Sequence, residues 1–271
     1  MSTNLTLIRT TNLAQAIGLR PGDTISLVGG GGKTSLMFRL AHELAAGGES
    51  VITTTTTRIL PPTPEESPCV ILDEDVPTLI RRATEALQGQ RHITLARPDS
   101  NKLRGLSPET IDSLRHLRIA DYIINEADGA SCRPLKAPNP TEPIIPTSTS
   151  LVVAIVGIEA IGRPLLPENA FRIENITRLT GLNEGESITT EAVAQLLTHH
   201  EGIIQHASGM CIVPFINKAG EDQVTQAETL AAEILCRRHQ YIERVVFGEL
   251  KRPAYPLTIA LPDMSMVGSG Y

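Results

Sequence analysis

Short apolar, β-branched runs alternate along the chain with longer stretches in which apolar residues recur every three or four positions. The runs predict strands over 24–28, 50–54, 69–72, 92–96, 121–126, 151–156, 210–216 and 244–247. The longer stretches predict helices. In Lys33–Ala46 the residues Leu36, Leu40 and Leu44 fall on one stripe. Helices are also expected over 75–88, 108–117, 189–199 and 224–239, with Ser107 as an N-cap and Pro108 in the first turn of the third. Strands alternating with helices are the pattern of a parallel sheet covered on both faces. The expected fold is therefore α/β, a three-layer α/β/α arrangement with a mostly parallel sheet.

Two segments break the alternation. Residues 132–149 carry Pro134, Pro138, Pro140, Pro143 and Pro146, which exclude a regular element and predict a long, stiff loop. Loops of that length inside compact folds are more often functional than idle. Residues 172–207 read as a small helical insert. Nothing marks a linker or a repeat, so 1–271 is expected to be a single domain.

Composition narrows the partners. With 24 Lys and Arg against 30 Asp and Glu, the net charge is −6, and the basic stripe of a nucleic-acid binder is missing. Aromatic residues make up 3% and tryptophan is absent, which removes stacking platforms for single strands. Cys69, Cys132, Cys211 and Cys236 are scattered, without disulfide or zinc spacing, and Cys69 and Cys211 read as buried small hydrophobes. The first residues lack a basic-then-apolar leader, and no apolar stretch reaches the roughly 18 residues of a membrane span. The expectation is a cytoplasmic protein without membrane contact.

The sharpest chemistry is Gly29-Gly30-Gly31-Gly32-Lys33-Thr34-Ser35, placed between a predicted strand and a predicted helix. Side-chain-free backbone N–H groups at a helix N-terminus suit phosphate oxygens. Lys33 would reach β- and γ-phosphates and the Thr34 hydroxyl would ligate Mg²⁺. This predicts a P-loop NTPase-like fold that takes ATP or GTP. The pattern is incomplete, because Leu27 stands where a P-loop has its first glycine. Its Gly-Gly-x-Gly-Lys-Thr core is that of dimeric P-loop switches, so a homodimer is conceivable, although Val28 replaces their leading lysine. The plainer alternative is a glycine-rich turn with a surface lysine.

Further segments extend the picture. The predicted strand ending in Asn125-Glu126 runs into Ala127-Asp128-Gly129. A carboxylate at such a strand end orients Mg²⁺ and its waters. Glu126 is one candidate, Asp128 its rival, and the Gly129 N–H is a candidate sensor of the γ-phosphate; a surface Asp-Gly turn is the bland reading. Asn217-Lys218-Ala219-Gly220 resembles the Asn-Lys-x-Asp signature that reads guanine. Gly220 cannot accept hydrogen bonds from the base, which leaves ATP and GTP both open, with Glu221 and Asp222 as substitutes only if the loop is shifted. Asn217, Lys218 and the Glu249-Leu250-Lys251-Arg252 loop after the last predicted strand are the candidates for the base pocket. Thr55, Thr56 and Arg58 lie where a switch loop would offer a hydroxyl and a cation. Arg133 either stabilises transition-state charge or, with Lys136 and Lys102, holds an anionic second substrate. Otherwise the segment is a stiff surface loop with an ion pair such as Lys136 to Glu142. Cys132 is the one thiol near the predicted site, and His199-His200 read as an exposed helix end.

These segments occur in the order found in the selenium-dependent hydroxylase accessory proteins, the YqeC-like family, which the chain resembles over nearly its whole length. The most specific part is Glu126-Ala127-Asp128-Gly129 followed by Arg133-Pro134-Leu135-Lys136-Ala137-Pro138. Val156-Gly157-Ile158-Glu159-Ala160 is also similar. Gly220 and Phe171, the latter in place of a histidine before Arg172, depart from the family's pattern. The resemblance implies a nucleotide-binding protein that helps mature molybdenum hydroxylases, some with a labile selenium centre, through a client or cofactor-delivery partner. Three functions are thus expected to compete. They are a slowly hydrolysing Mg-nucleotide switch, a small-molecule kinase or ATP-dependent ligase, and a scaffold with a vestigial P-loop. In the first, Lys33, Glu126, Asp128 and Arg133 carry the chemistry.

Overall fold

The computed structural model describes residues 4–263. Its main sheet runs from one edge through Leu5–Thr10, Leu257–Pro262, Val245–Gly248, Cys211–Asn217, Leu151–Gly157, Thr24–Gly29, Tyr122–Glu126, Val51–Thr55 and His92–Pro98. Val70–Leu72 pairs parallel with His92–Pro98, and a small antiparallel extension, Leu103–Arg104 with Arg58–Ile59, closes that side. The strands from Val245–Gly248 to His92–Pro98 are parallel; the Leu5–Thr10 and Leu257–Pro262 margin is antiparallel. The mostly parallel α/β sheet expected from the alternation is present.

Period-two alternation divides the central strands between two faces. Leu27, Val51, Ile124, Val153 and Ile155 pack beneath Leu13–Ile17 and Lys33–Ala46. Their neighbours Val28, Val152, Ala154 and Val156 pack with helices Ile173–Thr180, Thr190–Thr198 and Val224–Cys236. On that same face, Ile52, Ile93 and Ile123 meet Leu79, Ala83, Ile111 and Leu114 of helices Val76–Ala86 and Pro108–His116. Helices thus cover both sides of central strands that are buried throughout, which is why the strands read as largely hydrophobic, β-branched runs. The 172–207 insert contributes two helices, and its Ile176, Leu179, Val193 and Leu196 enter the main core. Ser107 caps its helix as expected, accepting from the Thr110 N–H at 3.3 Å.

Two expectations about cysteine are corrected. Cys211 is exposed and Cys69 is only half-buried, because both stand at strand entrances, where the apolar run meets solvent. All four cysteines are free.

His92 sits 2% exposed at the start of its strand, with Nε2 3.0 Å from the Thr53 hydroxyl. Burial, reinforced by the neighbouring His42 ring, pushes its imidazole down to about 4. The unfolded chain takes up this proton near pH 6.5 while the folded chain does not. The contribution is therefore intact above pH 6.5 and is lost as the pH falls toward 4, by roughly 3 kcal/mol in all. Denaturant unfolding at pH 7 and pH 4 should show His92→Gln losing about that much less stability than the wild type. Equal losses would place the acid sensitivity elsewhere.

Candidate functional site

Register brings the chemistry to one end of the sheet. Thr55 pairs with Glu126, Leu27 with Glu126, Gly29 with Ile155, Gly157 with Asn217, and Asn217 with Gly248. All lie at or next to the carboxyl ends of parallel strands. Thr24–Gly29 also marks the place where successive connections change direction across the sheet. Crevices outside the carboxyl ends at such a reversal are where open α/β sheets bind ligands.

The glycine loop needs its glycines for contact. A Cβ on Gly32 would lie 2.3 Å from Asn217 Nδ2, and one on Gly30 would lie 2.6 Å from the Arg133 carbonyl oxygen. Asn217 ties the loop down from the neighbouring strand end. Its Nδ2 donates to the Gly31 carbonyl at 2.7 Å, and its Oδ1 accepts from the Leu250 N–H at 3.2 Å. The Gly29 N–H donates to Asp128 Oδ2 at 3.1 Å and the Gly30 N–H to the Ile155 carbonyl at 2.9 Å. Among the described residues, none accepts from the N–H groups of Gly31, Gly32, Lys33 or Thr34, and the helix has no side-chain cap.

Behind the loop runs a buried chain of alternating charges. Glu126 Oε1 lies 3.9 Å from Lys33 Nζ, which is 3.2 Å from Asp128 Oδ1. Asp128 Oδ2 is 2.9 Å from Lys136 Nζ, and that ammonium is 3.0 Å from Glu142 Oε2. Arg172 completes the chain with two hydrogen bonds to the Glu142 carboxylate, at 2.6 and 3.0 Å. Lys33, Asp128 and Lys136 are all buried. Lys33 also donates to the Gly29 carbonyl at 2.5 Å, and Lys136 to the Gly129 carbonyl at 2.8 Å. Glu126 accepts at 2.9 Å from the hydroxyl of Thr34.

These surroundings set the protonation. Burial alone would lower the Lys33 ammonium, but Asp128 and Glu126 outweigh it and hold the group above its ordinary value. Burial raises the Glu126 carboxyl, and Lys33 and the Thr34 hydroxyl counter this only in part. Burial would also raise Glu142, yet its Arg172 and Lys136 partners bring it below the usual range.

The residues expected at the site divide into two groups. Gly29, Gly30, Gly31, Gly32, Lys33, Thr34, Glu126, Asp128 and Asn217 come together, and Ser35 follows on the first turn of the same helix. Lys136 joins them through Asp128, in the Lys136–Glu142 ion pair that the sequence suggested. Arg133 does not join. Its guanidinium turns to the carbonyls of Pro167 and Ser131, and only its backbone reaches the glycine loop. Arg58 pairs with Asp99 at 3.1 Å, across the small antiparallel extension that the strand pattern did not reveal. Thr55 spends its hydroxyl on the Glu126 carbonyl at 2.8 Å, and Thr56 donates to the Ile144 carbonyl at 2.8 Å. Lys102 is exposed on a turn, and Cys132 is exposed with left-handed backbone, φ 60°. Lys218 pairs with Glu159. Glu221 and Asp222 are exposed on a short 3₁₀ turn, so neither stands in for the missing side chain of Gly220. His199 and His200 stack with ring centroids 4.4 Å apart. Among the described residues no group of three or more His, Cys, Asp and Glu side chains is arranged to hold a metal ion, and no helix is long and apolar enough to cross a membrane.

Arg172 was missed as a member of the charge chain. The only local signal was its place at the head of the helical insert, and its contact with Glu142 depends on strand Leu135–Lys136 pairing with Ala170–Phe171.

Comparison with known proteins identifies related sequences. The family described as YqeC protein matches residues 25–174, the stretch that holds the glycine loop and the whole charge chain. A protein of Escherichia coli (strain K12), described as "Uncharacterized protein YqeC", is 34% identical over 209 residues, which is 76% of this chain and 80% of that protein.

Proposed function

We propose that this chain, which belongs to the YqeC family, is a Mg-dependent nucleoside-triphosphate-binding protein that hydrolyses its ligand slowly and serves the maturation of a molybdenum hydroxylase. The observation that carries the nucleotide half is the meeting of a tightly packed glycine loop, a buried lysine and a strand-end carboxylate at one sheet reversal. The maturation half, with its client or delivery protein, rests on the family resemblance.

The residues suit such a ligand. Backbone N–H groups of Gly31, Gly32, Lys33 and Thr34 are free to receive phosphate oxygens, helped by the positive end of the helix dipole. Lys33 already stands fully charged between two carboxylates, so an incoming polyphosphate competes with Asp128 for it. Thr34 Oγ1 and Glu126, 2.9 Å apart, would hold Mg²⁺, which would supply charge neutralisation for a bound polyphosphate. Asp128 Oδ1 is buried and faces the Lys33 ammonium at 3.2 Å, so it loses that partner when a polyphosphate draws the ammonium away. The kinase or ligase alternative gains less support: of its three acceptor-binding cations, Arg133 and Lys102 lie outside the charge chain, and Lys136, within it, is fully buried between Asp128 and Glu142. A homodimer closed across the nucleotide belongs to the same proposal.

Calorimetric titration with Mg²⁺ and non-hydrolysable ATP and GTP analogues tests it. The wild type should bind at least one of them, and Lys33→Ala should bind at least 100-fold more weakly, because about 2.7 kcal/mol of charge-assisted contact is lost. A wild type that binds neither analogue would leave the vestigial scaffold as the better account.

A further inference from the structure

Asn217 leads directly into Lys218-Ala219-Gly220, the segment whose last position would carry the base-reading carboxylate if it were aspartate. Gly220 has none. The space in front of it is nonetheless occupied by a carboxylate from another part of the chain. A Cβ built on Gly220 would lie 3.2 Å from Glu249 Oε1 and 3.4 Å from Glu249 Cδ. Glu249 thus brings its carboxyl group beside the place from which an aspartate at 220 would have extended its own.

The placement of Glu249 is constrained from several sides. Its carbonyl accepts from Arg39 Nη1 at 3.1 Å, which ties it to the helix that begins with the glycine loop. Its neighbour Leu250 donates to Asn217, the residue that binds the Gly31 carbonyl. The other carboxylate oxygen, Oε2, pairs with Arg252 at 3.0 Å, while Oε1 accepts from none of the described residues. Lys218 has left-handed backbone, φ 62°, as it turns between Asn217 and Ala219, and Ala219 is fixed by donating to the Gly248 carbonyl at 3.2 Å. The glycine loop, Asn217 and Glu249 therefore form one connected unit, with the Glu249 side chain 26% exposed and Gln223 Oε1 3.5 Å from the same Gly220 Cβ position.

We infer that Glu249 reads the base, and that the nucleotide of this chain is a guanine nucleotide. This rests on the nucleotide reading above. Guanine presents its N1–H and exocyclic amine side by side, two donors for one carboxylate. Adenine presents a lone pair at N1, which a carboxylate repels. A site that hydrogen-bonds such donors discriminates far more strongly than one that fits only shape. The glycine at 220 makes room for a side chain that arrives from the next strand's loop.

The test is a base-swap titration. Mg²⁺ complexes of non-hydrolysable GTP, ATP and XTP analogues are titrated into the wild type and into Glu249→Gln. Xanthine carries a carbonyl where guanine carries the amine, and a glutamine amide can donate to it. The wild type should prefer the GTP analogue over the ATP analogue by at least 100-fold. Glu249→Gln should bind the GTP analogue at least 10-fold more weakly and bind the XTP analogue more tightly than the wild type does, a gain that misfolding cannot produce. A wild type that binds ATP and GTP analogues alike, or a guanine preference untouched by Glu249→Gln, overturns this inference and leaves nucleotide binding standing. Binding of none of the three overturns both.

Discussion

Replacing Lys136 by methionine is expected to destabilise the folded chain by about 3–5 kcal/mol, the cost of removing one partner from a buried ion pair. Methionine keeps much of the stem volume, so the loss reports the charge. The Lys136 side chain is fully buried, with Asp128 at 2.9 Å, Glu142 at 3.0 Å and the Gly129 carbonyl at 2.8 Å. Without the ammonium, among the described residues Asp128 keeps Lys33 as its only cation and Glu142 keeps Arg172 as its only cation, so the buried chain carries one uncompensated negative charge. For a chain of this size the melting temperature should fall on the order of 10 °C. Asp128→Asn combined with Lys136→Met removes the imbalance. The pair should therefore cost clearly less than the sum of the single changes, which a double-mutant cycle by denaturant unfolding measures. A single-mutant loss below about 1 kcal/mol would mean that the interaction is no stronger than a surface pair.

The same charge chain shows which parts of the site a sequence can reveal. The glycine loop, Glu126 and Asp128 are each legible because strand, loop and carboxylate are contiguous, and helix Lys33–Ala46 falls on the residues its periodicity marks. Lys136 and Glu142 are six residues apart, and their pairing was visible as a possibility. Arg172 lies 30 residues from Glu142, and its place at the head of the helical insert does not reveal that contact. Arg133 fails for the opposite reason. Its charge beside Gly129 suggests a phosphate partner, but the nearest acceptors in the folded chain are backbone carbonyls of Pro167 and Ser131. The missed margin strands follow the same logic. Leu5–Thr10 is mostly exposed and pairs with Leu257–Pro262 from the far end of the chain, so it lacks the buried run that betrays a central strand. Leu257–Pro262 is buried from Leu257 to Ala260, but that run spans only four residues and lies between Pro256 and Pro262. Glu249 was visible only as part of a loop after the last predicted strand. Its relation to Gly220 required the fold, because the two residues come from adjacent strand ends.

Gly31→Ala should have the second large effect, and a matched glycine separates its causes. Gly31 has φ 79° and Gly48 has φ 94°, so alanine at either site carries the left-handed backbone penalty of about 1–2 kcal/mol. At Gly48 a Cβ meets nothing within 4 Å, and the penalty should be all that is seen. At Gly31 the Cβ would lie 2.4 Å from the Gly157 nitrogen, 2.8 Å from its Cα and 3.0 Å from the Pro134 carbonyl oxygen. Those atoms include both partners of a hydrogen bond, since the Gly157 N–H donates to the Pro134 carbonyl at 2.9 Å. The methyl group would press on the bond that joins the proline-rich segment to the strand beside the glycine loop. Overpacking of this kind adds roughly 1–3 kcal/mol, giving about 2–5 kcal/mol for Gly31→Ala against about 1–2 for Gly48→Ala. Backbone cannot rotate aside as a long side chain can, so relief requires the loop and the Gly157 backbone to separate, which pulls on the bond from Gly157 to Pro134. Hydrogen exchange at the Gly157 amide reads that movement directly, and it should quicken in Gly31→Ala but not in Gly48→Ala. Equal destabilisation and unchanged exchange in the two variants would mean that the loop and the proline-rich segment are not mechanically joined, and the segment would then have no route by which to respond to a ligand on the loop.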